Sequence, residues 1–273
     1  MPGAPDLGYV TARGALLDAL AALRDQIDAV VVIGAQAVYL RTAGIETGLA
    51  ALTLDADLAI DRRALSDAPL LENALLAAGM TAGEGPGTWH TASGVAVDIM
   101  LPRALADPGG QRGARMPPHG RQVARRTVGI EACVVDCDLI DIRALDPTDS
   151  RESNVRVAGP AGLIVAKTTK IAERLATPSR LVDKDAHDVL RLLQASSSEG
   201  LARRMQTALD DPLSSETTER ALMSLFALAS EAAAVIPQMA ARAESLGTGE
   251  PTVAAASLAA LVRELARAMG RST

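Results

Sequence analysis

The chain predicts an α+β fold, with a strand-bearing α/β part over residues 1–157 followed by a helical domain over residues 158–273. Three observations lead there. Short β-branched or alternating runs, at 29–33, 52–61 and 95–101, are interleaved with helical segments in the first part. At Gly159-Pro160 the pattern switches to helix, with proline at a first-turn position, and stays Ala/Leu-rich to the end. Apolar residues make up 48% of the 273-residue chain but aromatics only 1%, so Ala, Leu and Val must build the core. That composition favours helices packed closely through small residues, and the length suffices for two modest domains.

In order, residues 1–10 read as an arm, and Thr11 is placed to cap a helix running to about Gln26, with Leu16, Leu17, Leu20 and Leu23 as its apolar stripe. Ala29-Val30-Val31-Val32-Ile33 is a continuous run suited to a strand buried on both faces, ending at Gly34, from which a helix to Arg41 opens. Residues 42–51 read as a loop. The stretch 52–61 alternates, with Leu54, Ala56, Leu58 and Ile60 on one side and Thr53, Asp55, Asp57 and Asp61 on the other. A helix over about 64–78 stops at Gly79. Thr88–Thr91 and Val95–Leu101 pair as a hairpin that turns Asp98 away from Val95, Val97, Ile99 and Leu101. Residues 107–126 form a Gly/Pro-rich loop, strands follow at 128–135, 138–142 and 154–157, and about five helices complete the chain.

Charge and cysteine content narrow the class. A net charge of −6 argues against a wholesale nucleic-acid or membrane-surface binder. Cys133 and Cys137 make no disulfide framework, and two cysteines with three scattered histidines are too few for a zinc site, so a reduced, cytoplasmic protein is expected. No leader pattern opens the chain, and no uncharged apolar run reaches the ~18 residues a membrane span needs.

Several stretches carry candidate chemistry. Carboxylates two positions apart on a strand project the same way about 7 Å apart. Packing Asp55 and Asp57 on one face costs repulsion that a hard divalent cation would relieve; a solvated edge strand is the plain alternative. The junction at Gly34 exposes helix N-terminal N–H groups where phosphate could bind, or is simply a tight strand-to-helix turn. Asp98, inside an apolar strand, wants a hydrogen-bond donor or a metal. Arg112, Arg115, Arg121, Arg125 and Arg126 form a local basic patch that could attract a phosphate backbone, or an ordinary solvated loop. Lys167, Lys170 and Arg174 share one side of a helix, and the next helix opens with Asp183-Lys184-Asp185-Ala186-His187-Asp188, whose acids suit the positive end of its dipole. His187 reads as a surface or packing residue.

The order of these features resembles the nucleotidyltransferase superfamily that includes DNA polymerase β. The matching residues are Val32-Ile33-Gly34-Ala35, Thr53-Leu54-Asp55-Ala56-Asp57-Leu58 and Val97-Asp98-Ile99. Leu163-Ile164-Val165-Ala166-Lys167 and Lys184-Asp185-Ala186-His187-Asp188-Val189-Leu190 look like the AbiEii-type branch, which includes toxins of type IV toxin–antitoxin systems. The resemblance covers about residues 29–60, 94–101 and 158–193. Ala35 stands where Ser or a second Gly is usual, the Gly34–Asp55 separation is long, and an Arg common before the acidic motif is replaced by Ala50 and Ala51.

The resemblance implies a mixed-sheet nucleotidyltransferase core and a Mg²⁺- (or Mn²⁺-) dependent enzyme that moves a nucleotide from an NTP to an acceptor hydroxyl. Asp55 and Asp57 would hold the metal, and Asp98 would complete a second metal site or take the acceptor's proton. Gly34 and Ala35 would cradle phosphates through their N–H groups. Lys167 would neutralise the triphosphate, and Asp185 would orient that lysine or join the site, with Asp188 the less favoured candidate for the latter. An RNA such as tRNA would be the acceptor, met by the arginine patch, and an antitoxin protein would be a partner. Two alternatives stay open: transfer to a small molecule or a protein hydroxyl, and a catalytically weak nucleotide- or partner-binding protein of the same fold.

Overall fold

A computed structural model describes residues 6–45, 52–109 and 112–272, so Ala50, Ala51 and parts of the expected arm and loops lie outside the described residues. The chain is α+β with a mixed sheet, and it divides into two compact units. The first comprises Met1–Ala37, Ala51–Val128 and Cys137–Ala158; the second comprises Val38–Ala50, Gly129–Asp136 and Gly159–Thr273.

In the first unit, α1 (Leu7–Ala22) starts four residues before the expected Thr11 cap. Asp6 is the better placed cap: its carboxylate accepts from Gly8 N at 2.8 Å, while the Thr11 hydroxyl bonds back to Leu7 O within the helix. Leu16, Leu17, Leu20 and Leu23 are buried as the stripe required, worth about 1.5–3 kcal/mol each. A 3₁₀ turn, Arg24–Ala29, replaces the helix's expected last turn and delivers β1 (Val30–Ile33), all four residues buried. Then follow α2 (Gly34–Arg41), β2 (Asp55–Ile60), α3 (Leu71–Ala77), β3 (Thr81–Ala82), β4 (Thr88–His90), β5 (Ala96–Pro102) and β6 (Arg125–Thr127). Helix α3 is shorter than the expected 64–78, because the chain turns at 61–64 and passes Pro69 before it can begin. It does end at Gly79, in the left-handed region at φ +78°.

Residues 131–135 form a helix, α4 (Glu131–Val135), where a strand is expected. Glu131 accepts from Gly129 N at 2.7 Å, and Gly129 takes a φ of +90°, so the turn fixes the helix despite its β-branched end. The last strands, β7 (Cys137–Arg143) and β8 (Glu152–Ala158), pair antiparallel and are longer than the pattern indicates.

The eight strands form one sheet in the order β3-β4-β5-β2-β1-β8-β7. β1 runs antiparallel to β2 and parallel to β8, while β2 is parallel to β5. One edge of β5 is shared: β4 pairs along Ala96–Asp98 and β6 along Met100–Pro102. α1 packs against β2, β5 and β8, covering the face that carries Ala56, Leu58, Val97 and Ile99. Leu54, expected on that face, lies before β2 and is exposed.

The second unit is helical: α4 with α5 (Pro160–Arg174), α6 (Asp183–Gln194), α7 (Ser198–Asp210), α8 (Ser215–Ala229), α9 (Val235–Glu244) and α10 (Pro251–Ala268). Six helices, not five, follow residue 159 among the described residues, because the chain also breaks at 230–234, ahead of Pro237 in the first turn of α9. There the Ser230 hydroxyl bonds back to Phe226 O, and Arg263 donates to Ser230 O, together ending α8. The N-terminus of α5 is closed by Asp136, whose carboxylate accepts from Gly162 N at 2.9 Å and from Arg204.

Candidate functional site

Strand alternation and register assemble the site in the first unit. Thr88 on β4 faces Asp98 on β5, Asp98 faces Asp57 on β2, and Asp57 faces Ile33, the last residue of β1. Partners in register share a face, so this is a lateral row across four strands, and Asp55 joins it from one step along β2. The opposite face is the apolar one under α1, which leaves these carboxylates on the polar side, each half-buried.

The row ends against Gly34. This residue sits at φ +69°, where L side chains are strained. A Cβ built on it would fall onto the Asp57 side chain, 2.7 Å from its Cγ and 2.8 Å from its Cβ. Glycine is therefore required twice over, by its backbone and by the carboxylate that occupies the space beside it. Ala35 follows as a buried residue in the first turn of α2.

Asp55 is braced from behind. Thr53 donates its hydroxyl to Asp55 Oδ1 at 2.7 Å. Buried Gln36 donates from Nε2 to Asp55 O at 3.1 Å and to Ala12 O at 2.9 Å. Its Oε1 accepts from Arg13 Nε at 2.9 Å, and Arg13 also donates to Arg143 O and the Tyr9 hydroxyl. Burial pulls the Arg13 guanidinium below its usual value, against the opposing influence of Tyr9. Neither Gln36 nor Arg13 stands out in the sequence; a polar residue inside Gly34-Ala35-Gln36-Ala37-Val38 was the available signal.

Asp98 is engaged on both oxygens. Thr88 Oγ1 donates to Oδ1 at 2.9 Å, and Arg125 Nη1 pairs with Oδ2 at 3.1 Å. Arg125 is half-exposed, reaching Asp98 from β6 because its Cα partner is Met100, two residues along β5 on the same face. Arg112, Arg115 and Arg121 are exposed on the ribbon leading into β6, and Arg126 is the next residue of that strand. Arg126 N donates to Arg112 O, which ties the ribbon to the strand. Asp61 has a different setting: it is buried and held by Arg63 and Arg156, which outweigh burial and keep its carboxyl below the usual range. It belongs to the scaffold.

Among the described residues no group of three or more His, Cys, Asp or Glu side chains is gathered as a ready-made metal cage. Mg²⁺ needs no such cage, since it binds through one or two carboxylates with waters and substrate phosphates completing its shell. Asp55 and Asp57, alternate residues on one strand face beside a backbone turn with no side chain, fit that donor set.

Lys167 and Asp185 meet in the second unit. Lys167 Nζ donates to Asp185 Oδ1 at 2.9 Å and Asp188 Oδ2 at 2.7 Å, and all three are buried. Lys170 pairs with Asp185 at 2.9 Å and Lys184 with Asp188 at 3.5 Å. Burial opposes the Lys167 charge, but Asp188 and Asp185 outweigh it and hold the ammonium above its usual value. Burial would likewise raise Asp185, yet Lys167 and Lys170 prevail and lower it. Beside them the Tyr39 ring carries Lys184 Nζ and Arg191 Cζ, each 5.3 Å from its centroid. His187 is buried and bonds Glu244 at 2.5 Å.

Comparison of the chain with protein-family models, with curated proteins and with solved structures gives no match.

Proposed function

We propose that the protein is a Mg²⁺-dependent nucleotidyltransferase whose reaction centre is built on Asp55, Asp57 and Gly34. The observation that supports it is the lateral row ending at Gly34: two carboxylates on one strand face, a third in register beside them, and a bare backbone turn at a helix start. A bound divalent ion would supply neutralisation of the charge developing on the phosphates. Asp55 and Asp57 would hold it; Gln36 fixes the strand that carries them and Thr53 fixes the Asp55 carboxylate. The N–H groups at Gly34 and Ala35 open α2 and would receive the β- and γ-phosphates. An acceptor hydroxyl then attacks the α-phosphorus: a new P–O bond forms, the bond to the bridging oxygen breaks, pyrophosphate leaves and the hydroxyl proton passes to water.

An RNA acceptor is favoured over a small molecule by the arginine ribbon. Arg112, Arg115 and Arg121 are exposed along a segment that ends in β6, hydrogen-bonded to the strand that carries Asp98. The toxin-like role and the action of Lys167 on the triphosphate rest on the sequence resemblance alone.

The test is incubation with Mg²⁺, each α-labelled NTP and total RNA, followed by separation of RNA, protein and small molecules. Label should enter RNA, and the Asp55→Ala/Asp57→Ala variant should fall to background. Absence of metal-dependent transfer, or transfer unchanged in that variant, defeats the assignment.

A further inference from the structure

Asp98 is held in a way that distinguishes it from Asp55 and Asp57. Thr88 occupies Oδ1 and the Arg125 guanidinium occupies Oδ2. Arg125 is not there by chance of a loose side chain. Its strand pairs with Met100, Leu101 and Pro102, and its Nη2 lies 3.4 Å from Met100 Sδ. Its backbone is fixed as well: a Cβ on Gly87 would sit 2.5 Å from Arg125 N, so the two backbones are in tight contact. Gly87 itself takes φ +81° and accepts from Ile99 N at 2.6 Å. Gly87 is thus wedged between the Arg125 strand and the Asp98 strand, a built Cβ falling on Ile99 O as well, while Gly113, bridged to Arg125, packs tightly on Arg121 O within the ribbon.

A guanidinium is permanently charged and presents five donors. With one Nη on Asp98, the half-exposed group keeps others for an oxyanion. A divalent ion on either oxygen of Asp98 would be set against that fixed positive charge at close range.

We propose that Arg125 is the resident cation of the third carboxylate, so that the site takes one divalent ion, at Asp55 and Asp57, while Asp98 serves to hold the Arg125 guanidinium towards a substrate phosphate. The inference rests on the nucleotidyltransferase reading and refines it. Asp98 is then a positioning residue, and Arg125 does on the acceptor side what a second metal ion would otherwise do.

Titration of the free chain with Mn²⁺, followed by loss of the free-ion electron paramagnetic resonance signal, tests this without turnover. Wild type should bind one ion per chain, Asp57→Asn should lose it, and Asp98→Asn should keep it. Arg125→Gln should gain a second ion, and its transfer rate should recover as Mg²⁺ is raised, because an ion can then take the vacated place. Arg125→Lys keeps the charge and should stay at one ion; circular dichroism on each variant controls for folding. Two ions in wild type with one lost in Asp98→Asn overturns the proposal alone, as does an unchanged count in Arg125→Gln. No bound Mn²⁺ in wild type overturns the nucleotidyltransferase reading together with it.

Discussion

Replacing Gly34 by alanine isolates the physical core of the site. Two costs arise at one atom. At φ +69° an alanine backbone costs about 1–2 kcal/mol relative to glycine. The new Cβ also lands 2.7 Å from Asp57 Cγ, and overpacking of that kind adds about 1–3 kcal/mol. The sum, about 2–5 kcal/mol, corresponds to a fall in melting temperature of roughly 5–15 °C for a domain of this size. Gly79→Ala provides the comparison, since Gly79 has φ +78° with no atom within 4 Å of its built Cβ. That variant should bear the backbone cost alone. A double-mutant cycle then assigns the difference: on an Asp57→Gly background, which removes both the carboxylate and the Cβ that lies 2.8 Å away, the Gly34→Ala penalty should shrink to the Gly79→Ala value, because the clash has been removed while the strained φ remains. Urea unfolding of the four variants and wild type measures each quantity. If Gly34→Ala costs no more than Gly79→Ala, or if its penalty is the same with and without the Asp57 side chain, the Asp57 carboxylate does not occupy the space beside Gly34 and the site geometry is wrong.

Two other perturbations reach the scaffold on which the site depends. Gln36→Leu strips partners from Arg13 Nε, Ala12 O and Asp55 O inside a buried region, and should destabilise by about 2–4 kcal/mol in urea unfolding while weakening Mn²⁺ binding about 10-fold or more; stability equal to wild type would refute the brace. His187 is held below the ordinary histidine value chiefly by burial, against the opposing pull of Glu244. The unfolded chain therefore binds the proton first, and stability should fall as the pH drops below about 6.5, the unfolded value, towards the lower folded one. His187→Gln should flatten that part of the stability–pH curve, and an unchanged slope would show that another group governs it.

The parts of the fold that could be read from sequence are those in which local pattern and burial agree. β1 is buried on all four residues, and β5 alternates as Val97, Ile99 and Leu101 require, so their strands were legible. The helix at Glu131–Val135 was not, because Glu131 bonding to Gly129 N and the left-handed turn there override the β preference of its valines. The break between α8 and α9 rests on Ser230 and Arg263, 33 residues apart, and its one mark in the sequence was Pro237 in the first turn of α9. At the site, the shared face of Asp55 and Asp57 was legible from their spacing, but spacing alone did not separate a metal site from a solvated edge strand. The Arg125–Asp98 pair was not legible, since it exists only because β6 docks in parallel register on β5.

Depth separates the site carboxylates from the buried aspartates among the described residues. Asp61, Asp136, Asp185 and Asp188 are all buried, and each is matched by a specific donor: Arg63 and Arg156, Gly162 N and Arg204, Lys167 and Lys170, Lys167 and Lys184. Losing such a partner costs about 3–5 kcal/mol, so these carboxylates are held to the cations and donors already beside them. A carboxylate that must exchange water for a metal ion and phosphate cannot be sunk in that way. Asp55, Asp57 and Asp98 stay half-buried on the polar face of the sheet, reachable by a solute yet fixed by strand pairing. Within that set, the guanidinium of Arg125 gives Asp98 a cation of its own. Net charge, −6 for the chain, says nothing of this division; what sorts the acids is how far each lies from solvent and which cation reaches it.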